Sequence, residues 1–207
     1  MSFTEKGIDI SKWNGKVDFN AVKAAGYTFV IIKAGGSDYG FYKDPYFESN
    51  YKGAKAAGLK VGSYYFVGNK FWGAASGQAD AERFYQIIKG KKFEYPIYLD
   101  IEAQQRSKKK EITDAAIAFG EYLEKKNYFV GVYGSEFSTF NEMVEKERLK
   151  RFTWWVANYS NKPAGDPPVW QCSSTTRIQG HKCNFDKNIS NIDFEKIMKG
   201  RKKNGYS

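Results

Sequence analysis

One order of apolar and polar positions recurs through the first two thirds of the chain. An amphipathic stretch leads to a glycine, and a nearly continuous apolar run follows. "VKAAGYTFVIIKA" (22–34) and "AKAAGLKVGSYYF" (54–66) both read this way. "IIKGKKFEYPIYLDIE" (87–102) and "LEKKNYFVGVYGS" (123–135) repeat it, with Asn127 in the glycine's place. Gly26, Gly58 and Gly90 stand 32 residues apart. Each suits the left-handed residue that ends a helix, where asparagine is the usual substitute. The amphipathic stretches predict helices over 18–25, 47–57, 74–89 and 111–126. The apolar runs predict strands near 28–34, 60–66, 96–102 and 128–133, after a first strand at 7–11.

Continuous apolar strands alternating with helices mean a parallel sheet covered by helices. A further helix over roughly 137–150 leads into "TWWVANY" (153–159), and "PVWQCSS" (168–174) follows with little helix between. The last third therefore loses its helices and gains hairpin character. Five β/α units and about three further strands make eight, enough to close a TIM-like α/β barrel. An open doubly wound sheet is the alternative, but no phosphate-binding glycine fingerprint supports it. The pattern gives one domain over residues 1–200, with 201–207 as a basic tail or the start of a linker.

Composition narrows the chemistry. The 207 residues include 15 Tyr, 16 Phe and 5 Trp, a surplus suited to stacking flat ligands such as sugar rings or bases. The net charge of +10 favours polyanions, among them an anionic cell wall. No RNA-binding aromatic signature or zinc-finger spacing is present, which argues against nucleic acid. With His181 the sole histidine, a multi-histidine metal site cannot be built, and His181 itself reads as an exposed turn residue. Nothing calls for a cofactor. Cys172 and Cys183 lie across a hairpin-like segment, where a disulfide and two free thiols are equally open. The N-terminal "MSFTEKGIDI" lacks a leader's apolar core, and no apolar run is long enough for membrane insertion. A cytosolic origin, with exit by another route, is the expectation.

In a β/α barrel, function gathers where strands end. Those ends carry Asp9, then Tyr64 and Tyr65, then Asp100 with Glu102, then Tyr133, Trp155, and Trp170 with Gln171; Asp186 belongs to the eighth strand. Asp100 and Glu102 share one face of their strand, about 6.5–7 Å apart at Cα, while Ile97, Leu99 and Ile101 face the helices. Like charges that close raise one another's proton affinity. One ionised and one protonated carboxyl at neutral pH are what glycosidic bond cleavage requires. A solvated strand edge and a Mg²⁺ or Ca²⁺ site are the competing readings of such carboxylates.

These residues resemble the glycoside hydrolase family 25 muramidases, the Chalaropsis-type lysozymes. "GIDISKWNGKVDF", "YPIYLDIE", "WWVANY" and "WQCSSTTRIQG…CNFD" are similar to that family's segments, in order, from residue 7 to about 190. The resemblance implies a flattened barrel of five β/α units plus three strands. It also implies hydrolysis of the β-1,4 bond between N-acetylmuramic acid and N-acetylglucosamine in peptidoglycan. By position, Glu102 would be the general acid/base, and Asp100 would orient the substrate's N-acetyl group. Asp9 and Asp186 would complete an acidic floor, with Tyr64, Tyr133 and Trp155 lining the groove. Two segments depart from the family: "KAGGSDYG" lacks the acidic residue of an Ala-Thr-Glu-Gly-like turn, and Tyr64-Tyr65-Phe66 stands for Tyr-His-Phe. A monomeric phage or prophage endolysin, made without a leader and released through a holin pore, fits this reading. A non-catalytic wall-glycan-binding module on the same scaffold is the alternative.

Overall fold

The computed structural model describes residues 4–207; residues 1–3, the start of the stretch read for a leader, lie outside the described residues. Strands β1 (Glu5–Ile10), β2 (Phe29–Gly36), β4 (Lys60–Phe66), β5 (Ile97–Asp100) and β6 (Val130–Ser135) follow the repeated pattern. They are joined by α1 (Phe19–Ala24), α2 (Phe47–Ala56), α3 (Ala74–Ile88) and α4 (Lys109–Lys125). A two-residue strand, β3 (Tyr42–Lys43), folds back antiparallel on the end of β2. Then come β7 (Thr153–Ala157), β8 (Val169–Thr176) and β9 (Phe185–Ser190).

Eight strands close in the order β1-β2-β4-β5-β6-β7-β8-β9, with β9 returning to β1. Neighbours are parallel except β9, which runs against both β8 and β1. Strand alternation produces two apolar layers. Ile8, Ile10, Val30, Ile32, Leu99 and Val132 face the helices, while Phe29, Ile31, Tyr98, Trp155 and Val169 fill the barrel. The helix stops are as expected: Gly26, Gly58, Gly90 and Asn127 all adopt positive φ, between 67° and 85°.

Three features differ from expectation. The stretch 137–150 is a π-helical segment, Glu136–Met143, followed by a 3₁₀ turn, Lys146–Leu149. The Thr139 hydroxyl donates to the Ile101 carbonyl (2.7 Å) and accepts from the Ser135 N–H (3.2 Å), pinning the wide turn to the end of β5. The last third also gains α5 (Phe194–Arg201). Its Phe194 and Met198 pack on Tyr95 and Phe29 and stop the barrel's lower end. Residues 201–207 are not a loose tail. Asn204 is fully buried, donates to the Tyr95 carbonyl (2.9 Å) and accepts from the Phe129 N–H (2.7 Å). Among the described residues, no helix is long and apolar enough to cross a membrane.

Candidate active site

With its lower end stopped, the barrel opens at the strands' C-terminal ends. Inward positions there are Asp9 on β1, Lys33 on β2, Tyr64 on β4, Asp100 on β5, Tyr133 on β6, Trp155 on β7 and Gln171 on β8. Glu102 lies just beyond β5 and is exposed. Because β9 is antiparallel, its start reaches this same rim, and Asp186 pairs in register with Asp9.

A hydrogen-bonded relay fixes the floor. Asp9 Oδ2 accepts from Gln171 Nε2 and Asn188 Nδ2, each at 2.8 Å. Trp155 Nε1 donates to Asn188 Oδ1 (2.8 Å). The hydroxyls of Tyr133 (2.7 Å) and Tyr159 (2.8 Å) both donate to Gln171 Oε1. Each amide is held from both ends, so the Asp9 carboxyl is fixed in place. Among the described residues, no group of three or more His, Cys, Asp or Glu side chains is placed to hold a metal ion.

The four acidic side chains all bind protons more tightly than usual. Burial, then the charge of Asp186, raises Asp9 well above the ordinary carboxyl range. Burial, then Glu102, does the same to Asp100. Glu102 is raised by desolvation, an effect opposed by its hydrogen bond with Asp100 and by the Lys33 charge. Asp186 is raised by burial, opposed by its hydrogen bond with Asp9. Two carboxyl pairs therefore stand side by side, each able to share a proton. In the Asp100–Glu102 pair, Asp100 Oδ1 is buried without a hydrogen-bond partner.

Two expected groove residues do not face the groove. Tyr65 is fully buried on the helix side, where its hydroxyl donates to Asp80 Oδ1 (3.1 Å) and its ring packs on Phe84 and Phe119. It follows Tyr64 directly, and neighbouring strand residues point to opposite faces. Trp170 likewise turns away from its inward neighbour Gln171, and its Nε1 donates to the Asn158 carbonyl (2.8 Å). Cys172 and Cys183 are free thiols; Cys172 approaches the Lys187 carbonyl and Cys183 the Asn14 carbonyl. His181 is half-buried, with Nε2 accepting from the Asp18 N–H (2.9 Å). The cavity of about 500 Å³ beside it contains none of the four carboxyls.

Lys33, Asn188 and Tyr159 are site residues that sequence reasoning passed over. Lys33 continues the inward series Phe29, Ile31, and Asn188 follows Asp186 by two, so strand alternation was a usable signal for both. Tyr159 lies past the end of β7, where alternation no longer applies.

The arrangement has known relatives. The model of glycosyl hydrolases family 25 matches residues 8–181. An autolytic lysozyme of Clostridium acetobutylicum is 33% identical over 178 residues, covering 84% of this chain and 52% of the relative. Lysozyme M1 of Streptomyces globisporus is 30% identical, covering 93% of this chain and 70% of that protein. The crystal structure of the CTP1L endolysin superposes with a TM-score of 0.83 at 30% identity, covering 95% of this chain and 70% of that one. The chain thus spans about half the length of the clostridial relative. It belongs to glycosyl hydrolases family 25.

Proposed function

We propose that this chain is a muramidase, cleaving the β-1,4 bond between N-acetylmuramic acid and N-acetylglucosamine of peptidoglycan. The observation that carries the reading is the Asp100–Glu102 pair. One member is buried with a vacant acceptor, and the other is hydrogen-bonded to it and open to solvent.

In the free protein, burial favours the proton on Asp100. A substrate N-acetyl group brings an N–H donor, which the unpartnered Oδ1 can accept. Hydrogen bonding to a carboxylate stabilises its charged form. Substrate binding therefore ionises Asp100 and leaves the proton with Glu102, beside the glycosidic oxygen. Glu102 protonates the leaving oxygen, while Asp100 stabilises and orients the N-acetyl group against the anomeric carbon. Asp9 and Asp186 provide a second acidic pair on the floor, and Tyr64 and Tyr133, backed by the buried Trp155, form an apolar wall for the sugar ring.

The likeness to an autolytic lysozyme and to an endolysin supports action on the bacterial wall. A role in lysis, with release through a holin pore, is part of this proposal, as is attraction of the basic surface to anionic wall polymers. A pure glycan-binding module has no use for a strained carboxyl pair, which disfavours that alternative.

Purified peptidoglycan digested by the wild type and by Glu102→Gln, then reduced with borohydride and examined by mass spectrometry, tests the assignment. New muramic acid reducing ends from the wild type, with a loss of at least about 10²-fold in Glu102→Gln, are expected. Glucosamine reducing ends would transfer the chemistry to the other bond. Full activity in Glu102→Gln would overturn its role.

A further inference from the structure

One cation whose charge reaches Asp100 and Glu102 has no part in the proposed reaction. Lys33 stands inward on β2, in register with Tyr64 on β4, and Phe66 on β4 is in turn in register with Asp100 on β5. Its Nζ lies 4.4 Å from the ring centre of Phe66, 5.6 Å from that of Tyr42 and 5.9 Å from that of Tyr64. Three rings holding one ammonium restrict a side chain that is otherwise among the most mobile.

The sequence is arranged to make this clasp. A side chain at Gly35 would meet the Tyr42 carbonyl at 2.2 Å, and one at Gly36 would meet the Phe66 carbonyl at 2.6 Å and the Tyr42 hydroxyl at 2.8 Å. The paired glycines thus let β3 close on β2 and bring Tyr42 over Lys33. They fall in "KAGGSDYG", the segment that departs from the family pattern.

We propose that Lys33 is a positioning residue of the reaction: its ammonium, clasped by Phe66, Tyr42 and Tyr64, holds the Asp100–Glu102 pair at one shared proton. This rests on the proposed muramidase reading for its catalytic consequence, but not for its electrostatics. The groups facing the pair are Asp9 from β1, Tyr42 from β3, Tyr64 from β4, Tyr133 from β6, Tyr159 beyond β7 and Asp186 from β9. The acids among these favour extra protons on the pair, and the tyrosines stay neutral. Lys33 acts in the opposite sense on both members. Without it, a doubly protonated pair would persist to higher pH, and Asp100 could not ionise to receive the substrate.

The test compares wild type, Lys33→Met and Lys33→Arg. Carboxyl carbon NMR of the free protein follows the pair's titration, and peptidoglycan cleavage is measured across pH. Lys33→Met is expected to move the titration up by about half to one pH unit. Activity should then fall on the acid flank by about three- to tenfold and rise on the alkaline flank, with Lys33→Arg restoring both. Should Lys33→Met fail to fold, Lys33→Gln gives the same comparison. An unmoved titration overturns the inference, as does an equal loss of activity at every pH. If the wild type releases no reducing ends, the muramidase reading falls, and the titration alone decides the role of Lys33.

Discussion

At the mouth of the barrel, Asp100 has exchanged water for burial beside a second carboxyl, and such an exchange costs stability whenever it ionises. Its folded-state proton affinity is raised, so the favourable contribution is complete below the ordinary aspartate range near pH 4. That contribution is lost as pH rises through the higher folded value. Asp100→Asn removes the charge and leaves no established hydrogen bond of Oδ1 unmade. The variant is therefore expected to be more stable at pH 7 by about 1 kcal/mol or more, or ~2–4 °C in Tm, while losing most activity. The gain should vanish below about pH 4. Thermal unfolding followed from pH 3 to 8 checks this, and equal stability of the two proteins at pH 7 would contradict it. At this scale the sequence was legible through the ends of the predicted strands, which brought Asp9, Tyr64, Asp100 and Tyr133 together at one rim. It misled where two adjacent residues were both assigned inward. Tyr64 with Tyr65 and Trp170 with Gln171 are pairs of which only one can face the groove.

Among the elements, the clearest signals were local backbone requirements. Gly26, Gly58, Gly90 and Asn127 end helices because each takes a conformation disfavoured for other side chains. The π-helical turn at Glu136–Met143 was not legible, because it depends on Thr139 reaching the Ile101 carbonyl of a distant strand. The spacing of Phe194, Ile197 and Met198 in α5 was a usable signal, but eight residues give little periodicity. The segment after α5 shows how tertiary partners decide an element that composition labels as tail. Asn204 satisfies the Phe129 N–H and the Tyr95 carbonyl at the barrel's lower end, and its own backbone bonds to Asn127 and Phe93. Asn204→Ala strands both groups in a buried site, at about 1–3 kcal/mol each. Unfolding by urea should show a fall in midpoint with an unchanged slope. The same site lies opposite the carboxyls, so peptidoglycan cleavage at low temperature should be unaffected.

Over the whole molecule, aromatic and charged surfaces are distributed differently. The large exposed apolar side chains among the described residues are Trp13, Tyr39, Phe41, Tyr46, Phe137 and Tyr159. All but Tyr46, which follows the antiparallel β3, sit in segments that leave the C-terminal ends of β1, β2, β6 or β7, the side on which the barrel opens and a polysaccharide would cross it. Against 33 Lys and Arg the chain sets 23 Asp and Glu, and four of those acids are gathered at the mouth. The remainder of the surface is accordingly more basic than the net charge of +10 conveys. On the proposed function, such a surface would concentrate the protein on a wall bearing anionic polymers, through a field that salt screens from a range of about 30 Å at 0.01 M to about 3 Å at 1 M. The cleavage rate on intact walls should therefore fall by about tenfold across that range. On walls stripped of their phosphate polymers by acid, the same salt series should be nearly flat, because the sugar strand offers little charge to attract. Turbidity loss of the two wall preparations, followed in parallel, makes the comparison. A shared salt dependence would locate the effect at the carboxyl pairs and Lys33 instead of the outer surface, and the Lys33→Met variant would then lose it.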